Sequence, residues 1–92
     1  MIISFRCADT QAFFEGEHVA RFFAVREVIE RKLQMLDSAM TLDFLRVPPG
    51  NRLETLKGNR KGQHSIRVNK QWRICFVWTD DGPSHVEIVD YH

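Results

Sequence analysis

The apolar pattern of this chain changes period once, and that change constrains its fold more than any other feature. Phe22, Val25, Ile29, Leu33, Leu36 and Met40 recur at intervals of three and four residues, while Arg21, Glu27, Glu30, Arg31 and Gln34 fill the positions between. A single apolar stripe of this spacing marks a helix buried along one side. Beyond Val47-Pro48-Pro49-Gly50-Asn51 the period falls to two. Short apolar alternations over 53–57, 64–68, 72–79 and 84–92 are separated by Gly58 to Gly62, by Asn69-Lys70 and by Asp80-Asp81-Gly82-Pro83. Strands punctuated this way form an antiparallel meander. Ahead of the helix, Ile2, Ile3 and Phe5 suggest a first short strand, and Asp9 or Thr10 can cap a brief helical segment that ends near Gly16.

Helices followed by strands define an α+β domain: N-terminal helices packed on one face of a small, mainly antiparallel β-sheet. With 92 residues, 43% of them hydrophobic, residues 1–92 form one domain with one core, burying roughly 60 to 65% of the surface the unfolded chain exposes. Alternation also assigns the faces. Trp72, Ile74, Phe76 and Trp78 share one side of their strand, and Ile66 and Val68 one side of theirs, so these meet the helix. Arg67 and Arg73 then point the other way, onto a face expected to be wet.

Charge is distributed as unevenly as periodicity. From Arg46 to Arg73 there are eight basic side chains (Arg46, Arg52, Lys57, Arg60, Lys61, Arg67, Lys70, Arg73) and one acid, Glu54. A segment of net charge +7 within a chain of +1 leaves −6 for the remainder. Such a block attracts a polyanion such as nucleic acid while the rest of the chain repels one. Arg67 and Arg73 on the sheet, with Arg60, Lys61 and Lys70 in the flanking loops, are candidate phosphate contacts.

Several function classes are disfavoured. Cys7 and Cys75 are too few for a disulfide framework and form no C-x-x-C pair, which suits a reducing cytoplasm, with both read as small buried hydrophobes. The opening Met-Ile-Ile-Ser-Phe-Arg lacks the apolar stretch of a signal peptide, and no apolar run approaches the ~18 residues of a membrane span. His18, His64, His85 and His92 have no metal-site spacing, and Gly58 to Gly62 lacks the length and ending of a P-loop. His64 and Ser65, adjacent in a strand, face opposite sides and cannot act as base and nucleophile. The tail Asp90-Tyr91-His92 does offer a carboxylate, a phenol and an imidazole, tied to the sheet by Val86, Ile88 and Val89. Alternation places Tyr91 on the face opposite Asp90 and His92.

Taken together, Leu56-Lys57-Gly58-Asn59-Arg60-Lys61-Gly62, Ser65-Ile66, Trp72-Arg73-Ile74 and the terminal Asp90-Tyr91-His92 resemble the HigB branch of the RelE/ParE superfamily of bacterial toxins. The resemblance spans the chain, including the long helix and the Pro-Pro-Gly-Asn connection. It implies a RelE-like fold and a toxin of a type II toxin-antitoxin system: a ribosome-dependent endoribonuclease that cuts messenger RNA in the A site, with no cofactor. The implied partners are the ribosome and messenger RNA, together with a HigA-like helix-turn-helix antitoxin, operator DNA being reached only through that antitoxin.

Carried over by position, the resemblance makes Arg73, Asp90, Tyr91 and His92 catalytic, with Lys57, Arg60, Lys61, Arg67 and Lys70 holding RNA. Arg73 would stabilise the phosphate in flight, His92 and Asp90 would move protons, and Tyr91 would position or stack on a base. One departure is Glu54, which stands two residues before Leu56-Lys57-Gly58 where the family pattern has a histidine. That histidine's role falls to Glu54, to His92 or to no residue, and in the last case cleavage would be weak. Two other classes remain open: a non-catalytic gyrase inhibitor of the ParE type, and a plain RNA-binding module.

Overall fold

The computed structural model describes residues 1–91. Two helices, α1 (Ala8–Phe14) and α2 (Arg26–Ser38), precede four strands, β1 (Glu54–Thr55), β2 (His64–Arg67), β3 (Trp72–Thr79) and β4 (Gly82–Asp90). All neighbouring strands pair antiparallel in the order β1-β2-β3-β4. The α+β class and the meander are therefore as the change of period implies.

α2 buries Ile29, Leu33 and Leu36 against Ile66, Ile74, Phe76 and Ile88 of the sheet. Phe22 precedes it in a 3-10 turn over Ala20–Val25 and meets the Trp72 ring edge-on at 5.6 Å. The stripe ends sooner than expected. Ala39 leaves the helix with extended backbone, so Met40 lies outside α2 and is 89% exposed.

The first segment also differs from expectation. Ile2 to Phe5 lies along the free edge of β4 with one parallel bridge, Phe5 to Val86, and does not form a full strand. Ile3 N–H donates to Pro83 O, Val86 N–H to Ser4 O and Arg6 N–H to Val86 O. α1 starts after Cys7, and neither Asp9 nor Thr10 caps it. Thr10 is instead fully buried, its Oγ1 accepting the Ile88 N–H at 3.0 Å. Unpaired edge groups of β4 thus find partners in the N-terminal segment, as buried backbone polar groups must.

Between helix and sheet, the connection passes through two further 3-10 turns, Asp43–Arg46 and Pro49–Asn51. The segment read as a strand over 53–57 pairs only at Glu54 and Thr55, opposite Ser65 and His64. Cys75 is fully buried as expected, whereas Cys7 is half-buried. No helix among the described residues is long and apolar enough to cross a membrane.

Candidate functional site

The sheet face turned away from α2 carries the chain's densest polar chemistry, because the register stacks it there. Glu54 lies opposite Ser65, Ser65 opposite Cys75, and Cys75 opposite Glu87. One row further along, Arg67 lies opposite Arg73 and Arg73 opposite Val89.

This face is not simply wet, which corrects the expectation for Arg73. Arg73 is only 8% exposed. Its Nε donates to Ser65 Oγ at 2.8 Å, and its Nη2 donates to Arg52 O at 2.8 Å and to Ser65 O at 3.4 Å. The turn at Arg52 brings its carbonyl onto the guanidinium, and Arg60 reaches across the sheet to Glu87 at 3.2 Å and to Gln63 at 3.1 Å. Cys75 lies in the same cross-strand row as Glu87, fully buried, and burial pushes its thiol above the ordinary range.

The Arg73 fork is only partly engaged. Nη1 donates to no acceptor among the described residues, and no buried side-chain nitrogen among them lacks a partner, so Nη1 is not fully sealed from solvent. Glu54 Oε2 is 3.9 Å from Nη2, beyond hydrogen-bond distance and on a side chain 54% exposed, so it balances the cation only weakly. The Tyr91 ring lies 5.8 Å from the Arg73 guanidinium carbon, within cation–π range.

Of the predicted catalytic residues, the fold therefore gathers Arg73, Tyr91 and Glu54. Asp90 stands opposite Trp72 in the register and accepts from Gln71 Nε2 at 3.2 Å, one position out of phase with Tyr91, as alternation requires. His92 lies outside the described residues. Among the predicted RNA contacts, Lys57, Lys61 and Lys70 are exposed and Arg67 is half-buried. Arg60 differs from these in being paired, its Nη1 3.2 Å from Glu87 Oε1.

His64 turns to the other side, its ring 6.1 Å from Phe76, and burial lowers its pKa, so it adds no cation to the basic face near neutral pH. Sequence reasoning passed over Ser65 and the Arg52 carbonyl as the groups that hold Arg73. Alternation put Ser65 on the right face, but only the pairing register sets it beside Arg73. A recess of about 510 Å³ lies elsewhere, between the end of α1 and α2, with Phe13, Phe14, Phe23 and Leu33 in its walls. No residue of the basic block lines it. No group of three or more His, Cys, Asp or Glu among the described residues stands where it could hold a metal ion.

Comparison with known proteins agrees with the resemblance. The family model for HigB-like toxins, described as a RelE-like toxin of type II toxin-antitoxin system HigB, matches residues 3–92. Toxin HigB-1 of Vibrio cholerae serotype O1 is 43% identical over 82 residues, which cover 87% of this chain and 86% of that protein. An uncharacterized protein of Haemophilus influenzae is 38% identical over 55 residues, 60% of this chain and 54% of its own length. In three dimensions the chain is similar to one in the YoeB-YefM complex from Staphylococcus aureus, with TM-score 0.63, 16% identity, and coverage of 100% and 98% of the two chains. That likeness is one of fold alone. Through the family match and the Vibrio relative, the chain belongs to the HigB-like family of RelE-like toxins of type II toxin-antitoxin systems.

Proposed function

We propose that this toxin is a ribosome-dependent endoribonuclease that cleaves messenger RNA in the A site and so inhibits translation in the cytoplasm. The observation that carries the proposal is the half-engaged fork of Arg73. A permanent cation is held by Ser65 and the Arg52 carbonyl, its carbon 5.8 Å from the Tyr91 ring, while Nη1 has no acceptor among the described residues.

Cleavage uses the RNA's own 2′-hydroxyl as nucleophile. A base takes its proton, the 2′-oxygen bonds to phosphorus, and the 5′-oxygen leaves with a proton from an acid, giving a 2′,3′-cyclic phosphate and a 5′-hydroxyl. The crowded phosphorane carries extra negative charge, which a preorganised guanidinium in a partly desolvated site stabilises more than water does. In this reading Arg73 is that group, His92 and Asp90 serve proton transfer, Tyr91 positions a base by stacking, and Glu54 takes the place of the family histidine. Lys57, Lys61, Arg67 and Lys70 hold RNA backbone. The proposed partner is a HigA-like helix-turn-helix antitoxin, a reading supported by family membership.

Deletion of His92 gives the cleanest test, because Arg73→Ala would also leave the Ser65 hydroxyl and the Arg52 carbonyl unpaired and cost about 1–3 kcal/mol of stability. In a purified translation system, deletion of His92 is expected to lower messenger RNA cleavage about 100-fold or more with little change in melting temperature. Undiminished cleavage removes His92 from the mechanism. Broken DNA with intact transcripts would identify a gyrase inhibitor, and salt-sensitive RNA binding without product a plain binding module.

A further inference from the structure

The loop joining α2 to the sheet ends on an unusual backbone. Arg52 adopts φ 45° and ψ 56°, the left-handed region that residues bearing a Cβ seldom enter. Its exposed side chain makes no hydrogen bond or ion pair among the described residues, and its N–H closes the preceding 3-10 turn on Pro49 O at 3.1 Å. Its carbonyl does have a task, accepting Arg73 Nη2 at 2.8 Å.

Immediately before it, Asn51 is fully buried and held at three points. Asn51 N–H donates to Pro48 O at 3.0 Å, and Nδ2 donates to Leu45 O at 3.0 Å, to Met35 Sδ at 3.0 Å and to Val47 O at 3.5 Å. Oδ1 accepts from Lys32 Nζ at 2.5 Å. Lys32 lies in the middle of α2, is 9% exposed, and has no carboxylate partner among the described residues. Burial, with Arg31 adding repulsion, lowers its pKa. A buried ammonium facing only a neutral amide is an expensive arrangement that a well-packed apolar side chain would avoid. The ammonium is the one donor that the Asn51 Oδ1 receives among the described residues, and Asn51 directly precedes the turn at Arg52.

We infer that Lys32 and Asn51 are positioning residues for Arg73. They lock the loop so that the Arg52 carbonyl meets Nη2, and with Ser65 on Nε this fixes the guanidinium plane and leaves Nη1 unengaged. The inference rests on the reading that Arg73 acts on the phosphate. It adds a route from α2 to the outer face of the sheet: Lys32 to Asn51, Asn51 to Arg52, Arg52 to Arg73.

Three measurements on the full chain test it: the single-turnover cleavage rate on programmed ribosomes, the affinity for those ribosomes, and the exchange rate of the Arg73 Nε–H by NMR. Lys32→Met should lower the cleavage rate about 10- to 100-fold, as small misplacements of a catalytic group do, with ribosome affinity within about twofold of wild type. Lys32→Arg, which returns a donor to Asn51, should recover part of the rate. The Arg73 Nε–H should exchange about tenfold faster in Lys32→Met, because its bond to Ser65 then opens more often. A folded Lys32→Met protein with wild-type rate, or a rate loss fully matched by lost affinity, overturns the inference. Absence of cleavage by the wild type would sink the nuclease reading alone. The Arg73 exchange rate would then decide the positioning claim, and an unchanged rate would overturn it.

Discussion

Arg60 and Lys61 are neighbours in one loop with the same formal charge and different surroundings. Arg60 bridges to Glu87 across 27 positions of sequence and lies half-buried, whereas Lys61 is exposed. Removing Arg60 leaves Glu87 without its partner, so Arg60→Ala is expected to cost about 1–3 kcal/mol of folding stability. Lys61→Ala should leave the melting curve almost unmoved and weaken RNA binding instead. Thermal melts and RNA titrations on the two variants separate the roles, and the reverse pattern would return Arg60 to the RNA-binding set. From sequence the two look equivalent, because nothing local announces that Glu87 will come within reach. The burial of Arg73 was hidden for the same reason: its acceptors, Ser65 and Arg52, are eight and 21 residues away along the chain.

At the level of elements, the helix stripe and the strand alternation were legible because each is a local periodicity. What periodicity does not encode is the treatment of the sheet edge. β4 is an edge strand, and along it the N-terminal segment and α1 supply partners in turn: Ser4 Oγ to His85 N–H at 2.9 Å, Ser4 O to Val86 N–H at 3.1 Å, Thr10 Oγ1 to Ile88 N–H at 3.0 Å. Thr10 looks like a helix cap in sequence because capping and edge-pairing call for the same short hydroxyl side chain. Thr10→Val keeps the shape and removes the acceptor, leaving a buried N–H unpaired. We expect a loss of about 1–3 kcal/mol, read as a lower urea midpoint at unchanged slope. A midpoint equal to wild type would mean that the Ile88 N–H finds another acceptor.

On the scale of the whole molecule, the charge segregation acquires a location. The block from Arg46 to Arg73 covers the connection, β1, β2 and the first turnings of β3. α2, on the other layer, is neutral overall, since Arg26, Arg31 and Lys32 offset Glu27, Glu30 and Asp37. Binding to single-stranded RNA should therefore weaken linearly with salt on a log–log plot. Lys57→Ala, Lys61→Ala and Lys70→Ala should each reduce the slope by about 0.7 for one lost phosphate contact. Slopes unchanged in all three variants would show that these exposed lysines do not hold backbone.

By itself the sequence determined the long helix's buried face, the order of the four meander strands and the sign of each region's charge, since period and charge are properties of neighbours along the chain. Tertiary structure alone decided which cations stay free. Arg60 is paired, Arg73 is buried with one nitrogen unengaged, and Lys32 is drawn into the interior, because each fate depends on an acceptor that only strand register and loop closure bring within about 3 Å. Glu54, the one acid of the basic block, was visible from the start, and the fold set it 3.9 Å from Arg73, close enough to influence the cation and too far to neutralise it by a hydrogen bond.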